Sequence, residues 1–177
     1  LYMALSRTLL RTYAAEHVTR PDLVLSAVNE RILTDTRATL FVTVFYGILD
    51  PDSGRMTYCN AGHNPPYLLK TDQGGLVQEL GKTGMALGLF EGMTWQQATV
   101  SLAPGEALVL YTDGITDACD GDERLFGAER LKALVSANLR RSARDLRNVL
   151  MAEVGEFVGD APQSDDITLM VVVRDIE

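Results

Sequence analysis

The sequence predicts an α+β protein in which antiparallel strands and helices form layers. Three observations carry this. Two helical patterns fill the first 35 residues, adjacent β-rich runs separated by turns fill the middle, and the last third returns to helix before one final strand. Runs of neighbouring strands imply antiparallel pairing with helices on the sheet faces, unlike the strand–helix alternation of a parallel sheet.

Residues 1–18 read as a helix, since Leu1, Leu5, Leu9 and Tyr13 recur every four residues. No residue stands before Leu1 to cap it, and the first N–H groups of a helix need partners, so a preceding segment is expected. Thr19-Arg20-Pro21-Asp22 starts a second helix, with Thr19 as its expected cap and Pro21 in the first turn. Its buried stripe is Val24, Leu25, Val28 and Ile32, and it ends near Asp35. Ala38 to Leu49 is β-branched, aromatic and nearly all apolar, which predicts a strand covered on both faces. Asp50-Pro51-Asp52-Ser53-Gly54 makes a turn, and Arg55–Ala61 returns as a hairpin partner. Asn64-Pro65-Pro66 interrupts, Tyr67–Lys70 resumes, and residues 71–93 are loop-like with a short strand at Leu76–Leu80. Thr94–Leu102 and Glu106–Thr112 are two further strands around Pro104-Gly105. Helices follow over about 127–139 and 142–157, the second opened by a Ser142/Asp145 cap. The last strand is Ile167–Val173.

The length of 177 residues suits a single domain over 1–177. Apolar residues make up 46%, enough for a packed core and too many for a disordered chain. The net charge of −8 excludes a duplex-binding surface, so no nucleic-acid partner is expected. Cys59 and Cys119 are too few for a cysteine zinc site, and His17 and His63 too few for a three-histidine one, so any catalytic metal takes mainly oxygen ligands. There is no apolar run long enough for a membrane span and no signal-peptide pattern, so a cytoplasmic location is expected.

The chemistry-bearing feature is the strand Ala107–Tyr111 running into Thr112-Asp113-Gly114, which puts a carboxylate at a sheet rim where glycine lets the backbone turn. Ser164-Asp165-Asp166 lies directly before the last strand. If those two strands are antiparallel neighbours, Asp113 and Asp165 meet at one edge. Clustered carboxylates repel unless a cation lies between them, and hard oxygen donors suit Mg²⁺ or Mn²⁺. Paired divalent ions generate hydroxide and clamp a phosphoryl group, so the reading is metal-assisted phosphate-ester hydrolysis. The alternative is that both aspartates are turn residues, which are common where strands end.

Tyr111-Thr112-Asp113-Gly114-Ile115-Thr116-Asp117-Ala118 with Leu125-Phe126-Gly127 resembles the signature of SpoIIE-like phosphatases, a bacterial branch of the metal-dependent protein phosphatase 2C family. Asn60-Ala61-Gly62-His63-Asn64-Pro65-Pro66, Gly84-Met85-Ala86-Leu87-Gly88-Leu89 and Asp165-Asp166-Ile167-Thr168 resemble three further motifs of that family, in the same order. The resemblance implies a layered α-β-β-α sandwich with mostly antiparallel sheets. It also implies hydrolysis of phosphoserine or phosphothreonine on proteins, with two Mn²⁺ or Mg²⁺ ions in the complete domain. Asp113 and Asp165 match metal-ligand aspartates, Asp166 is not assigned as a direct ligand, and Asp117 stands where Glu is usual. The family's upstream GD-x-SG-x-G segment is not among these 177 residues, nor are the preceding strands. The chain is therefore expected to be an N-terminally incomplete domain, binding metal weakly by itself and turning over slowly or not at all. The resemblance further suggests a phosphorylated anti-sigma-factor antagonist as substrate and a homodimer contact through the first two helices. The competing expectation is a non-catalytic pseudophosphatase acting as a regulatory protein-binding domain.

Other motifs are weaker. Gly81-Lys82-Thr83 lacks the spacing of a phosphate-binding loop and reads as a mobile loop. Asp120-Gly121-Asp122-Glu123 fails the EF-hand spacing and reads as a solvated turn. His63 reads as a turn histidine, with an acid or ligand role as the alternative. Arg140, Arg141, Arg144 and Arg147 read as a solvated helix start, with docking of an acidic or phosphorylated partner as the alternative.

Overall fold

The computed structural model describes residues 2–35, 40–71 and 74–175. In chain order the elements are α1 (Tyr2–Glu16), α2 (Pro21–Asp35), β1 (Val44–Leu49), β2 (Arg55–Ala61), β3 (Tyr67–Lys70), β4 (Leu76–Glu79), β5 (Ala98–Ser101), β6 (Ala107–Tyr111), α3 (Asp113–Thr116), α4 (Ala128–Ala137), α5 (Ala143–Val158) and β7 (Leu169–Val173). The α+β class with antiparallel sheets is as predicted. Two compact units divide the chain: Leu1–His63 with Gly81–Ser101, and Asn64–Leu80 with Leu102–Glu177.

The first unit holds α1, α2 and an antiparallel sheet in the order β1-β2-β5. The predicted stripe of α2 is fully buried and packs with Val42, Cys59, Ala61, Leu87 and Trp95. Asn29 is buried in that stripe without penalty, because its Nδ2 donates to the Phe90 carbonyl (3.0 Å) and its Oδ1 accepts the Gly88 N–H (2.8 Å). Thr19 does not cap α2; Arg20 immediately precedes the helix and forks onto Asp22 at 3.0 and 2.7 Å. The hairpin turn closes as expected, with the Gly54 N–H on the Asp50 carbonyl and Gly54 at φ +71.

Two strands are shorter than predicted. Residues 38 and 39 of the first lie outside the described residues, and pairing in β1 begins only at Val44. Leu40 and Phe41 are exposed, and β1 is half-buried where two-sided cover was expected. The reason is position: β1 is an edge of the sheet order, paired with β2 alone. In β5 only Ala98–Ser101 finds partners on β2, against the predicted start at Thr94. Trp95 instead turns inward, donating Nε1–H to the Met85 carbonyl (2.8 Å) against Gly84, where a Cβ would sit 2.4 Å from the indole.

The second unit holds α3, α4, α5 and a sheet in the order β4-β3-β6-β7, every pair antiparallel. Tyr67, Leu69, Ala107, Val109 and Tyr111 alternate toward one face and pack with Leu131, Val135, Leu146, Leu150 and Val154 of the helical pair. Ser142 caps α5 as predicted, accepting the Asp145 N–H (3.1 Å) while its hydroxyl donates to Asp145 Oδ2 (2.7 Å). Glu106 is 1% exposed yet satisfied: its Oε2 accepts from Lys70 Nζ and from the Ala103 N–H, each at 2.8 Å.

The β6–β7 ladder runs from Ala107↔Val173 to Tyr111↔Leu169 and is prolonged by one residue. The Thr112 N–H donates to the Thr168 carbonyl (3.1 Å). Thr112 Oγ1 accepts the Thr168 N–H (2.9 Å) and donates to the Asp166 carbonyl (3.1 Å). The single turn α3, which the sequence reading gave only as a glycine-permitted bend, starts immediately after. Gly114 there is a close approach: a Cβ would lie 2.4 Å from the Asp166 carbonyl oxygen.

Two stability predictions follow from these contacts. Lys70→Met strands the buried Glu106 carboxylate and should cost about 3 kcal/mol, read as a lower urea midpoint at unchanged m. A loss below about 1 kcal/mol would mean that the Ala103 N–H alone suffices for the carboxylate. Gly114→Ala should cost about 1–3 kcal/mol by forcing two backbone segments apart; a variant as stable as the parent would show that this corner yields freely.

Candidate active site

Asp113 and Asp165 stand at one corner of the second unit, the first opening α3 and the second four residues before β7. Sequence separation is overcome by two ties. Thr112 holds the Asp166 carbonyl, and Ser164 Oγ donates to the Asp117 carbonyl (3.3 Å). Both ties end on backbone carbonyls, so neither uses the Asp113 or Asp165 carboxylate. Asp113 is exposed, and its side chain has no hydrogen-bond or ion-pair partner among the described residues. Asp165 is exposed; its Oδ1 accepts the Asp166 N–H (2.7 Å) and its carbonyl accepts from Gln163 Nε2 (2.6 Å).

Asp117 and Asp166, which the sequence reading did not assign as ligands, are exposed at the same corner. Asp117 Oδ1 accepts from Thr116 Oγ1 (3.2 Å). None of the ion pairs among the described residues, each involving Arg20, Arg31, Lys70, Arg124 or Lys132, touches any of these four aspartates. Exposed carboxylates with no ion-pair partner attract a cation and resist an unaccompanied anion. Among the described residues, however, no group of three or more His, Cys, Asp or Glu is arranged to hold a metal ion. The donors are chemically suited to a hard cation, and their number corresponds to a partial shell.

Cys59 offers no competing nucleophile. Burial pushes the Cys59 thiol up to about 11, far from a thiolate at neutral pH. Cys119 Sγ donates to the Asp117 carbonyl (3.3 Å), which engages its thiol as a hydrogen-bond donor. Beneath the corner, the Tyr111 ring lies tilted at 43° to that of Tyr67 with centroids 5.1 Å apart, and burial raises its hydroxyl well above the ordinary range.

The remaining motifs take structural parts. Gly81-Lys82-Thr83 was expected as a mobile loop and is instead pinned: Thr83 Oγ1 accepts the Asn60 N–H and the Thr83 N–H donates to the Asn60 carbonyl, both at 2.9 Å. His63 belongs to the first unit, where its N–H donates to Asn60 Oδ1 (2.8 Å) and its Nδ1 lies 3.4 Å from Thr43 Oγ1. Asp120 is the acceptor of a turn, taking the N–H groups of Asp122 and Arg124, and the Arg124 backbone N–H leads in holding its carboxyl below the usual range. The sequence reading missed Thr112; a threonine between a buried strand and Asp-Gly was the available signal.

The family model of Stage II sporulation protein E (SpoIIE) matches residues 1–175. Protein IcfG of Synechocystis is 35% identical over 135 residues, covering 76% of this chain and 21% of IcfG. Phosphoserine phosphatase RsbU of Bacillus subtilis is 26% identical over 156 residues, covering 88% of this chain and 46% of RsbU. The chain thus spans less than half the length of either curated relative. Among solved structures, the SiaA-PP2C domain of Pseudomonas aeruginosa matches with a TM-score of 0.84 at 24% identity, over 99% of this chain and 70% of that one. A corner of paired strand ends rimmed by aspartates, a match to the family model over nearly the full length, and this fold likeness together make the chain a member of the SpoIIE family, with the PP2C phosphatase fold.

Proposed function

We propose that the chain acts as a metal-dependent serine/threonine protein phosphatase domain, removing phosphate from phosphoserine or phosphothreonine on a regulatory protein. The observation that supports this most is the corner where Thr112 ties the end of β6 to the start of β7 and leaves the Asp113 and Asp165 carboxylates exposed and without an ion-pair partner among the described residues. Their exposed oxygens suit Mg²⁺ or Mn²⁺, which keep several waters and take only one or two carboxylates alongside substrate phosphate. When bound, such an ion neutralises phosphoryl charge and makes water a nucleophile near neutral pH.

The chain's own residues have three tasks in this reading. Asp113 and Asp165 supply oxygen ligands and orient the bound phosphate through them. Thr112 and Gly114 set the spacing of the two carboxylates through backbone contacts. The Cys59 thiol, kept protonated by burial, takes no part as a nucleophile. The relative RsbU is named a phosphoserine phosphatase, which agrees with this substrate class. A phosphorylated anti-sigma-factor antagonist is the specific partner we infer, in a cytoplasmic setting consistent with two unpaired cysteines. A homodimer contact through α1 and α2 belongs to the same reading. No helix among the described residues is long and apolar enough to cross a membrane.

One observation favours a second reading, a pseudophosphatase that binds a partner without turnover: fewer than three suitable donors converge among the described residues. The test is Mn²⁺-dependent phosphate release from a phosphoserine protein by the full-length protein, with Mn²⁺ affinity measured by calorimetry on the same samples. Asp113→Asn and Asp165→Asn should each lower kcat/KM by about 100-fold or more and weaken Mn²⁺ binding. Unchanged rates in either variant would remove that aspartate from the mechanism. An inactive wild type that still binds a phosphoprotein would favour the second reading.

A further inference from the structure

Beside the acidic corner lies a cavity of about 270 Å³. One wall is the C-terminal half of α5, contributed by Met151, Val154, Gly155 and Val158. The facing wall is Ala118 from the turn after β6 and Ile167 from the approach to β7. Gly114 and Ser164 also line it, and these are the chain neighbours of Asp113 and Asp165. No charged residue lines the cavity. An apolar enclosure of this kind gains free energy when an apolar group displaces its water, and it rejects a charged one.

Gly155 is the informative residue. An added Cβ there meets nothing within 4 Å, and the backbone is not in the left-handed region. Neither space nor conformation requires glycine, in contrast to Gly114, whose Cβ is excluded by the Asp166 carbonyl. Glycine within a helix weakens it relative to alanine. Gly155 is exposed, so the fold forgoes helix stability at an open position on the rim of the cavity.

We propose that this cavity is a specificity pocket, kept open by Gly155, that receives an apolar side chain of the phosphoprotein substrate close in sequence to the phosphorylated residue. The inference rests on the phosphatase reading of the corner. A substrate held there by its phosphate presents neighbouring residues at about 3.3–3.6 Å per residue along an extended chain. Gly114 and Ser164, the chain neighbours of the two aspartates, line the cavity, so side chains one to three positions from the phosphorylated residue are the candidates to occupy it. The lining is uncharged and mainly apolar, with Cys119, Gln163 and Ser164 as its polar members, and it favours a Leu- or Met-like occupant over a charged one.

The test uses the full-length protein with Mn²⁺, p-nitrophenyl phosphate, and a phosphoserine peptide series. In the series Leu replaces Ala singly at the three positions on either side of the phosphoserine. Wild type should turn over at least one Leu-bearing peptide with a kcat/KM about tenfold above the all-Ala parent, carried mainly by KM. Gly155→Leu fills the pocket and should reduce that ratio to about one. The ratio is taken within one protein, so a general loss of activity does not mimic the effect. Gly155→Ala is the second variant: it should raise Tm while lowering the ratio in part. Absence of any Leu preference in wild type, or a ratio unchanged in both variants, overturns the pocket and leaves the phosphatase reading intact. Failure of wild type to hydrolyse any of the substrates, p-nitrophenyl phosphate included, overturns the phosphatase reading and the pocket with it.

Discussion

The second unit depends on the three hydrogen bonds of Thr112 at the junction of β6 and β7. One threonine donates its N–H to Thr168, accepts the Thr168 N–H on its hydroxyl, and donates that hydroxyl to the Asp166 carbonyl. These bonds span 54 to 56 residues of sequence, so they hold together segments that chain entropy would otherwise separate. Gly114 completes the junction by letting the turn of α3 press against the Asp166 carbonyl. The arrangement joins the Thr112 hydroxyl to backbone groups and draws none of the Asp113, Asp117, Asp165 and Asp166 carboxylates into an ion pair among the described residues.

That division between backbone ties and free side chains is what makes the corner chemically interesting. A carboxylate already paired with arginine or lysine has little affinity left for a metal ion. Among the described residues the cations that form ion pairs do so elsewhere: Arg20 with Asp22, Arg31 with Asp35, Lys70 with Glu106, Lys132 with Glu79, and Arg124 with Asp120 and Asp122. The buried Glu106–Lys70 pair shows the opposite use of a carboxylate. There Glu106 is desolvated, matched by an ammonium and a backbone N–H, and bound into the support of the sheet. Support of this kind matters because a metal or phosphate site tolerates only small displacements of its donors. The corner also adjoins an uncharged cavity. Charge recognition by the aspartate rim and apolar recognition by the cavity would act on different parts of one substrate, so their effects on specificity would be separable.

Much of the fold was legible in local patterns. The helix stripe Val24, Leu25, Val28 and Ile32, the Asp50–Gly54 turn and the Ser142 cap all depend on residues within a few positions of one another, and each has the predicted place in the structure. The expectation of neighbouring strand ends was also recoverable, because a strand ending in Thr-Asp-Gly and a strand preceded by Ser-Asp-Asp suggest a shared rim. Local pattern failed where pairing decides. The apolar run before Leu49 looked like a strand covered on both sides, and β1 is half-buried because it occupies a sheet edge. Residues 94–97 looked like strand, but Trp95 is drawn into the core against Gly84.

Sequence by itself determined the element types, the turn and cap chemistry, and which acidic residues end strands, because these follow from periodicity and short-range hydrogen bonding. Tertiary structure alone decided that Thr112 is the joint between β6 and β7, that Asp117 and Asp166 share the corner with Asp113 and Asp165, and that Gly155 borders open space. The physical reason is distance along the chain. Each of those facts is set by groups far apart in sequence, brought together by sheet register and helix packing, and no local pattern encodes them.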